Sequence, residues 1–151
     1  NGDKSFENYP SSYVMNPGVI AQNHRMTSVN AILQIDLLGQ CNAEFLEGRQ
    51  YSGTGGQLDF VRGAYDSPDG KAILVLYSTA KNEEVSRIVG QFPTGTMVTT
   101  PRNDAHYIAT EYGIVNLKGK STRARALALI SIAHPKFREG LMREAENMSL
   151  M

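Results

Sequence analysis

Apolar and polar positions alternate from Thr27 to Leu38, with Val29, Ala31, Leu33 and Ile35 on one set, which is the period of a strand. Gly39-Gln40 turns the chain and Cys41 to Phe45 reads as the returning strand, so a hairpin is predicted whose far end runs through Glu47-Gly-Arg-Gln50. Asp66-Ser-Pro-Asp-Gly70 is a turn by composition. Lys71 to Ser78 then holds the unbroken apolar segment Ala72 to Tyr77, the pattern of a strand buried on both faces. Lys81 to Glu84 is polar and exposed. Val85 to Phe92 alternates again, with Val85, Arg87, Val89 and Gln91 on one set, and neither set is cleanly polar. Pro93-Thr-Gly95 interrupts it; Met97 to Thr100 and Tyr107 to Thr110 are two more short strands, separated by a turn around Pro101 to Asp104.

Helices are marked by their ends. Asn16-Pro17 reads as an N-cap followed by a proline in the first turn, with Val19 and Ile20 as the apolar side and Asn23-His24 as the stop. A short helical run is predicted from Asp59 to Ala64. Ser121 caps a helix to about Ala133, with Leu127, Ile130 and Ala133 on one stripe, Leu129 beside it, and Arg123 and Arg125 outside. Pro135 opens a last helix in which Phe137, Leu141 and Ala145 recur every four residues as core positions. Residues 1–9 are expected to be loose and the tail from Asn147 to Met151 to fray. The expected fold is α/β, a mixed sheet flanked by helices, in one domain over residues 1–151.

A chain of 151 residues, 41% hydrophobic and 20% charged, can bury one ordinary core. Lys plus Arg and Asp plus Glu stand at 15 each, which gives neither a nucleic-acid footprint nor a membrane-surface patch. No apolar run approaches the ~20 residues of a bilayer span and no signal peptide opens the chain, so a cytoplasmic location is expected. The single cysteine, Cys41, excludes an intrachain disulfide and a cysteine-cluster metal site, and reads as a small apolar residue. His24, His106 and His134 are scattered and no metal is expected. His134 fits a structural place at a helix start. His106, two residues from Asp104, reads as a hydrogen-bonded turn histidine, and Glu111 in Thr-Glu-Tyr-Gly as a structural carboxylate at a constrained strand end.

Candidate chemistry concentrates in Tyr51-Ser-Gly-Thr-Gly-Gly-Gln-Leu-Asp-Phe-Val-Arg-Gly-Ala64. Gly53, Gly55 and Gly56 allow positive φ and close approach to a ligand, and the helix that follows offers N–H groups to an anion. By itself the pattern reads first as a tight turn. It is neither a Walker loop nor a dinucleotide fingerprint, and Ser52 does not sit in a Gly-x-Ser-x-Gly elbow.

This stretch resembles the Gly-Gly-Gln-x-Asp-Phe-x-x-Gly-Ala signature of the acetyl-CoA hydrolase/transferase family, which includes 4-hydroxybutyrate and butyryl-CoA:acetate CoA-transferases. Further segments agree in order: Tyr13-Val-Met-Asn-Pro17, Val29 to Asp36 with Leu38-Gly-Gln40, Val98-Thr-Thr100, Glu111 to Leu117 with Gly119-Lys-Ser121, and Ala133-His-Pro135. The resemblance implies the C-terminal half of a class I CoA-transferase. It implies a ping-pong exchange through a glutamyl-CoA thioester whose glutamate lies upstream of the matched region; none of Glu7, Glu44, Glu47, Glu83, Glu84 or Glu111 stands in that motif.

What the resemblance assigns to this chain is the electrophile side, with Gly55, Gly56 and Asn16 as oxyanion donors, and Gly53, Gln57 and Asp59 as loop and CoA-binding residues. Asn16 also reads as a cap alone. No cofactor is implied, the coenzyme A thioester being a substrate. The implied partners are an acyl-CoA, a short carboxylate, the N-terminal half of the same protein and a second copy of the chain. Alternatives are a non-catalytic CoA-binding or assembly module, an acyl-CoA hydrolase, and an unrelated phosphate-binding domain with the same loop.

Overall fold

A computed structural model of the chain describes residues 2–3, 5 and 7–151. Asn1, Lys4 and Phe6, and with them part of the segment expected to be loose, lie outside the described residues. Two one-turn helices, α1 (Ser11–Val14) and α2 (Pro17–Ile20), lead into β1 (Thr27–Ala31). The short strands β2 (Gln34–Asp36), β3 (Cys41–Asn42), β4 (Phe45–Leu46) and β5 (Arg49–Gln50) precede α3 (Gln57–Asp66). After it come β6 (Lys71–Val75), β7 (Thr79–Ala80), β8 (Val85–Ser86), β9 (Ile88–Val89), β10 (Tyr107–Thr110) and β11 (Gly113–Asn116), and the chain closes with α4 (Thr122–Ser131) and α5 (Pro135–Asn147).

The main sheet has the order β1-β6-β10-β11, with β1, β6 and β10 parallel and β11 antiparallel. A second sheet, β3-β2-β9, carries the predicted hairpin, and β4–β5 and β7–β8 are small hairpins beside it. The α/β arrangement with a mixed sheet and helices is the one expected.

Strand phase departs from the sequence pattern, for a tertiary reason. The alternating run from Thr27 to Leu38 is two strands in two sheets. Within β1 the predicted inward set is outward: Ser28 is buried while Val29 is 62% exposed. Val29 pairs in register with Ile73 and Ile73 with Tyr107, so all three share a face. The opposite face carries Ala72, Leu74 and Ile108, fully buried in one cluster with Val61 and Ala64 of α3. The run Ala72 to Tyr77 is therefore covered on one side only, with Ile73 and Val75 half-buried. Val85 to Phe92 splits similarly, because β8 pairs with β7 and β9 with β2. Met97 to Thr100 contributes a single bridge, Thr100 to Cys41, rather than a strand, and β11 was not predicted.

The helices follow their caps closely. Asn16 Oδ1 accepts from Gly18 N–H at 2.8 Å, Ser121 Oγ from Ala124 N–H at 3.3 Å, and His134 Nδ1 from Lys136 N–H at 3.2 Å. In α4 the predicted stripe is rotated. Ala126, Leu129 and Ile130 are buried while Leu127 is 40% exposed, and Arg125 turns inward to donate to the carbonyls of Arg102 and Leu38 at 2.6 and 3.5 Å. In α5, Leu141 and Ala145 are buried and Phe137 packs on the cluster as expected. The tail does not fray. Ser149 takes φ 56°, its N–H donates to Glu146 O, Leu150 N–H donates to Ala145 O, both at 2.9 Å, and Leu150 and Met151 pack on the core.

Two packing details constrain the rest. A Cβ on Gly63 would stand 2.5 Å from Ile20 Cβ and 3.0 Å from Pro17 O, so α2 lies directly against α3 at this glycine. His106, 8% exposed, is held between Tyr65 and Tyr107 at ring separations of 5.0 and 4.2 Å. The expected hydrogen-bonded histidine is not found: Nδ1 is buried without a partner among the described residues, because Asp104 pairs instead with Arg62. Burial lowers the His106 pKa, and Lys118 and Lys71 lower it further.

Gly63→Ala is expected to destabilise the fold by about 1–3 kcal/mol, since helix backbone on one side and Ile20 on the other leave no room for a methyl group. An unchanged urea midpoint would show that α2 is free to shift. For His106 the unfolded chain binds protons more readily than the native state just below the ordinary value of 6.5. Stability is therefore complete above that value and falls as pH drops through it towards the lowered native pKa. The stability of wild type relative to His106→Leu should decline between about pH 7.5 and 5.5; a flat difference across that window would contradict this account.

Candidate functional site

The turn joining α3 to β6 is short, so α3 runs antiparallel to β6 and its N-terminus stands at the level where β1, β6 and β10 end. The β4–β5 hairpin delivers the chain there, and Tyr51 N–H ties back to Glu44 O at 2.7 Å. Residues 51–55 are exposed. Of the three glycines expected to need positive φ, only Gly55 has it, at 60°. Gly56 is the N-cap of α3 with φ −95°, and its lack of a side chain serves packing: a Cβ would lie 3.2 Å from Met15 Sδ. Gly53 has open space around it and an ordinary φ, so the sequence-based reason for a glycine there does not hold.

No side chain caps α3, and the N–H groups of Gly55 and Gly56 have no acceptor among the described residues. The α3 N-terminus thus offers unpaired donors and the positive end of a helix dipole to solvent. The side chain of Met15, the residue before Asn16, packs against it at Gly56. With Oδ1 of Asn16 committed to Gly18 N–H, the Nδ2 donors are left without an acceptor among the described residues.

Gln57 anchors this helix start as anticipated, its Nε2 donating to Thr100 Oγ1 at 2.9 Å. Thr100 is fully buried and exchanges backbone hydrogen bonds with Cys41, so the loop is tied to the second sheet. Asp59 lies in the first turn of α3 as predicted but makes no hydrogen bond among the described residues; anchoring rests on Gln57.

Other singled-out residues fall elsewhere. His134 caps α5 and approaches Glu83 at 3.5 Å, and His24 approaches Asp69 at 3.9 Å. Among the described residues no three His, Cys, Asp or Glu side chains are grouped to hold a metal, and no helix is long and apolar enough to cross a membrane. Cys41 is buried; its burial, with Asp36 nearby, pushes the thiol pKa up. Glu111 sits in the β10–β11 turn and accepts from Ser78 N–H at 2.9 Å and Ser78 O–H at 2.6 Å. Burial pushes its pKa up, but these hydrogen bonds outweigh that and hold it below the usual value.

Sequence reasoning missed a cleft of 410 Å³ at the carboxyl ends of β1, β6 and β10, which Glu111 and Arg87 border. Its walls come from separate segments, so no local pattern announces it. The one trace in the sequence is Arg87, a charge on the same alternating set as Val85 and Val89.

The model of the family described as "Acetyl-CoA hydrolase/transferase C-terminal domain" matches residues 1–145. The 4-hydroxybutyrate coenzyme A transferase of Clostridium kluyveri is 52% identical over 144 residues, covering 95% of this chain and 34% of that protein. The butyryl-CoA:acetate CoA-transferase of Anaerostipes caccae is 43% identical over 144 residues, covering 93% and 32%. The crystal structure of RipA from Yersinia pestis superposes with a TM-score of 0.88 at 54% identity, covering 94% of this chain and 32% of that one. The chain thus spans about a third of the length of the curated relatives it matches. With its sequence and its backbone both matched nearly end to end, the chain belongs to the acetyl-CoA hydrolase/transferase family, as its C-terminal domain.

Proposed function

We propose that this chain supplies the electrophile side of CoA transfer between an acyl-CoA and a short-chain carboxylate. A glutamate carboxylate from polypeptide upstream attacks the thioester carbonyl carbon, and the carbonyl electron pair moves onto oxygen. The N–H groups of Gly55 and Gly56 and the Nδ2 of Asn16 meet that oxyanion; one such donor is typically worth roughly 3 to 4 kcal/mol of barrier. Collapse expels the CoA thiolate and leaves an acyl-glutamyl anhydride. The thiolate then attacks the glutamyl carbonyl, releasing the product acid and forming the glutamyl-CoA thioester, and the incoming carboxylate runs the two steps in reverse. Water in place of that carboxylate gives hydrolysis. Gln57 anchors the loop that receives the CoA, with Gly53 and Asp59 lying along it, and no cofactor takes part.

The observation that carries this reading is the uncapped start of α3, against which the Met15 side chain packs at Gly56, in a chain of this family. The upstream polypeptide and a second copy of the chain are the proposed partners. Their support is the outward sheet face, where Val29 and Ile114 are 62% and 56% exposed although parallel strands are ordinarily covered on both faces.

The test uses the full-length protein that carries this chain, assayed for transfer from acetyl-CoA or butyryl-CoA to short carboxylates, with borohydride trapping of the glutamyl thioester. Transfer with a trapped thioester is expected. A folded full-length protein giving neither would overturn the reading. Asn16→Asp separates cap from donor, because aspartate caps as well as asparagine but offers no N–H. It should lower kcat/KM by about 10²–10³-fold at unchanged Tm, whereas a structural role alone would leave activity intact.

A further inference from the structure

The amino ends of the parallel strands carry a feature that the transferase reading does not use. Arg25 stands just before β1, Lys71 opens β6 and His106 directly precedes β10, so the parallel pairing brings all three to one end of the sheet. A recess of 390 Å³ opens there, lined by Arg25, Asp69, Gly70, Lys71, His106 and Tyr107. The ten residues of α3, about 15 Å of helix, separate this end from the glycine loop at the other.

His106 is the buried member of the lining. It is held between Tyr65 and Tyr107, and its Nδ1 is buried without a hydrogen-bond partner among the described residues. A buried nitrogen left unpaired costs free energy that a ligand group can restore. Lys118 and Lys71 both oppose a positive charge on the ring, so the field there selects an anion over a cation. Arg25 and Lys71 are exposed and form no ion pair among the described residues. Asp69, the one carboxylate of the lining, is approached by His24 Nε2 at 3.9 Å. Two cations and an imidazole nitrogen around one recess make a donor set suited to a phosphate, for which charge and hydrogen bonds act together. We propose that this recess binds a phosphate group, free or carried by a small organic phosphate, with Arg25 and Lys71 supplying charge and the neutral His106 donating from Nδ1. The site is independent of the transferase reading, since its residues stand at the strand ends remote from the start of α3.

The experiment is equilibrium dialysis of radiolabelled phosphate, and in a second arm of radiolabelled AMP, against the full-length protein that carries this chain. Saturable binding at about 1 mM or below is expected. Tighter binding of AMP identifies an organic phosphate as occupant, and equal binding the free ion; either supports the site. Arg25→Asn should weaken binding at least about tenfold, asparagine being a residue that tolerates the φ of 59° found there. Lys71→Gln, at an exposed position, should do the same, and it decides the matter if the first variant does not fold. Lys120→Gln, which removes an exposed cation outside the recess, should bind as wild type does. The KM for acetyl-CoA should be unchanged in all three. Absence of binding in both arms, wild-type binding by both recess variants, an equal loss in Lys120→Gln, or a raised acetyl-CoA KM in the recess variants would overturn the proposal. Binding that depends on Arg25 and Lys71 in a protein that transfers no CoA would keep this site and remove the transferase reading alone.

Discussion

Everything proposed for the α3 loop depends on the contact at Gly63. With no Cβ there, α2 can lie against α3 so closely that Pro17 O and Ile20 occupy the space a methyl group would need. That contact fixes where α2 lies along α3. The second spacer is Gly56, whose missing side chain leaves room for Met15. Two glycines that look alike in sequence, one in the loop and one inside the helix, thus serve one end. They let a one-turn helix, too short to persist by itself, sit in a single position.

The sheet supplies the other half of the geometry. Because β6 is paired on both edges by parallel strands, the ends of β1, β6 and β10 come to one level, where the α3 N-terminus also arrives. Gln57 then ties the helix start to Thr100 and through it to Cys41, so the position of the loop is set from the second sheet as well as from below. The α3 donors and the apolar cleft both stand at the level of these strand ends because of this one register.

How much of this was legible in the sequence depends on how local each cause is. The caps at Asn16 and Ser121, and a structural place for His134 at a helix start, were readable because cap and helix are neighbours along the chain. The hairpin leading towards the glycine loop was readable for the same reason. The inward face of β1 was not, because both sets of its side chains are acceptable on a strand and only α3 decides which is covered. Arg125 and Leu127 exchanged their expected faces because the acceptors for the guanidinium, Leu38 O and Arg102 O, come from distant segments. In the site, the glycine run announced a loop, and the family resemblance its chemistry, but the reason for Gly56 lies in Met15. The cleft was invisible because its residues share no stretch of chain.

Cys41 has a consequence of its own. It is the single cysteine of the chain, fully buried between β2 and the Thr100 bridge, with the thiolate form disfavoured by burial and by the nearby Asp36. Nucleophilic sulfur chemistry needs the thiolate and access to it, and Cys41 offers neither. The folded chain is therefore inert to alkylating reagents and mild oxidants, and a cysteine introduced anywhere on its surface would be its one addressable handle.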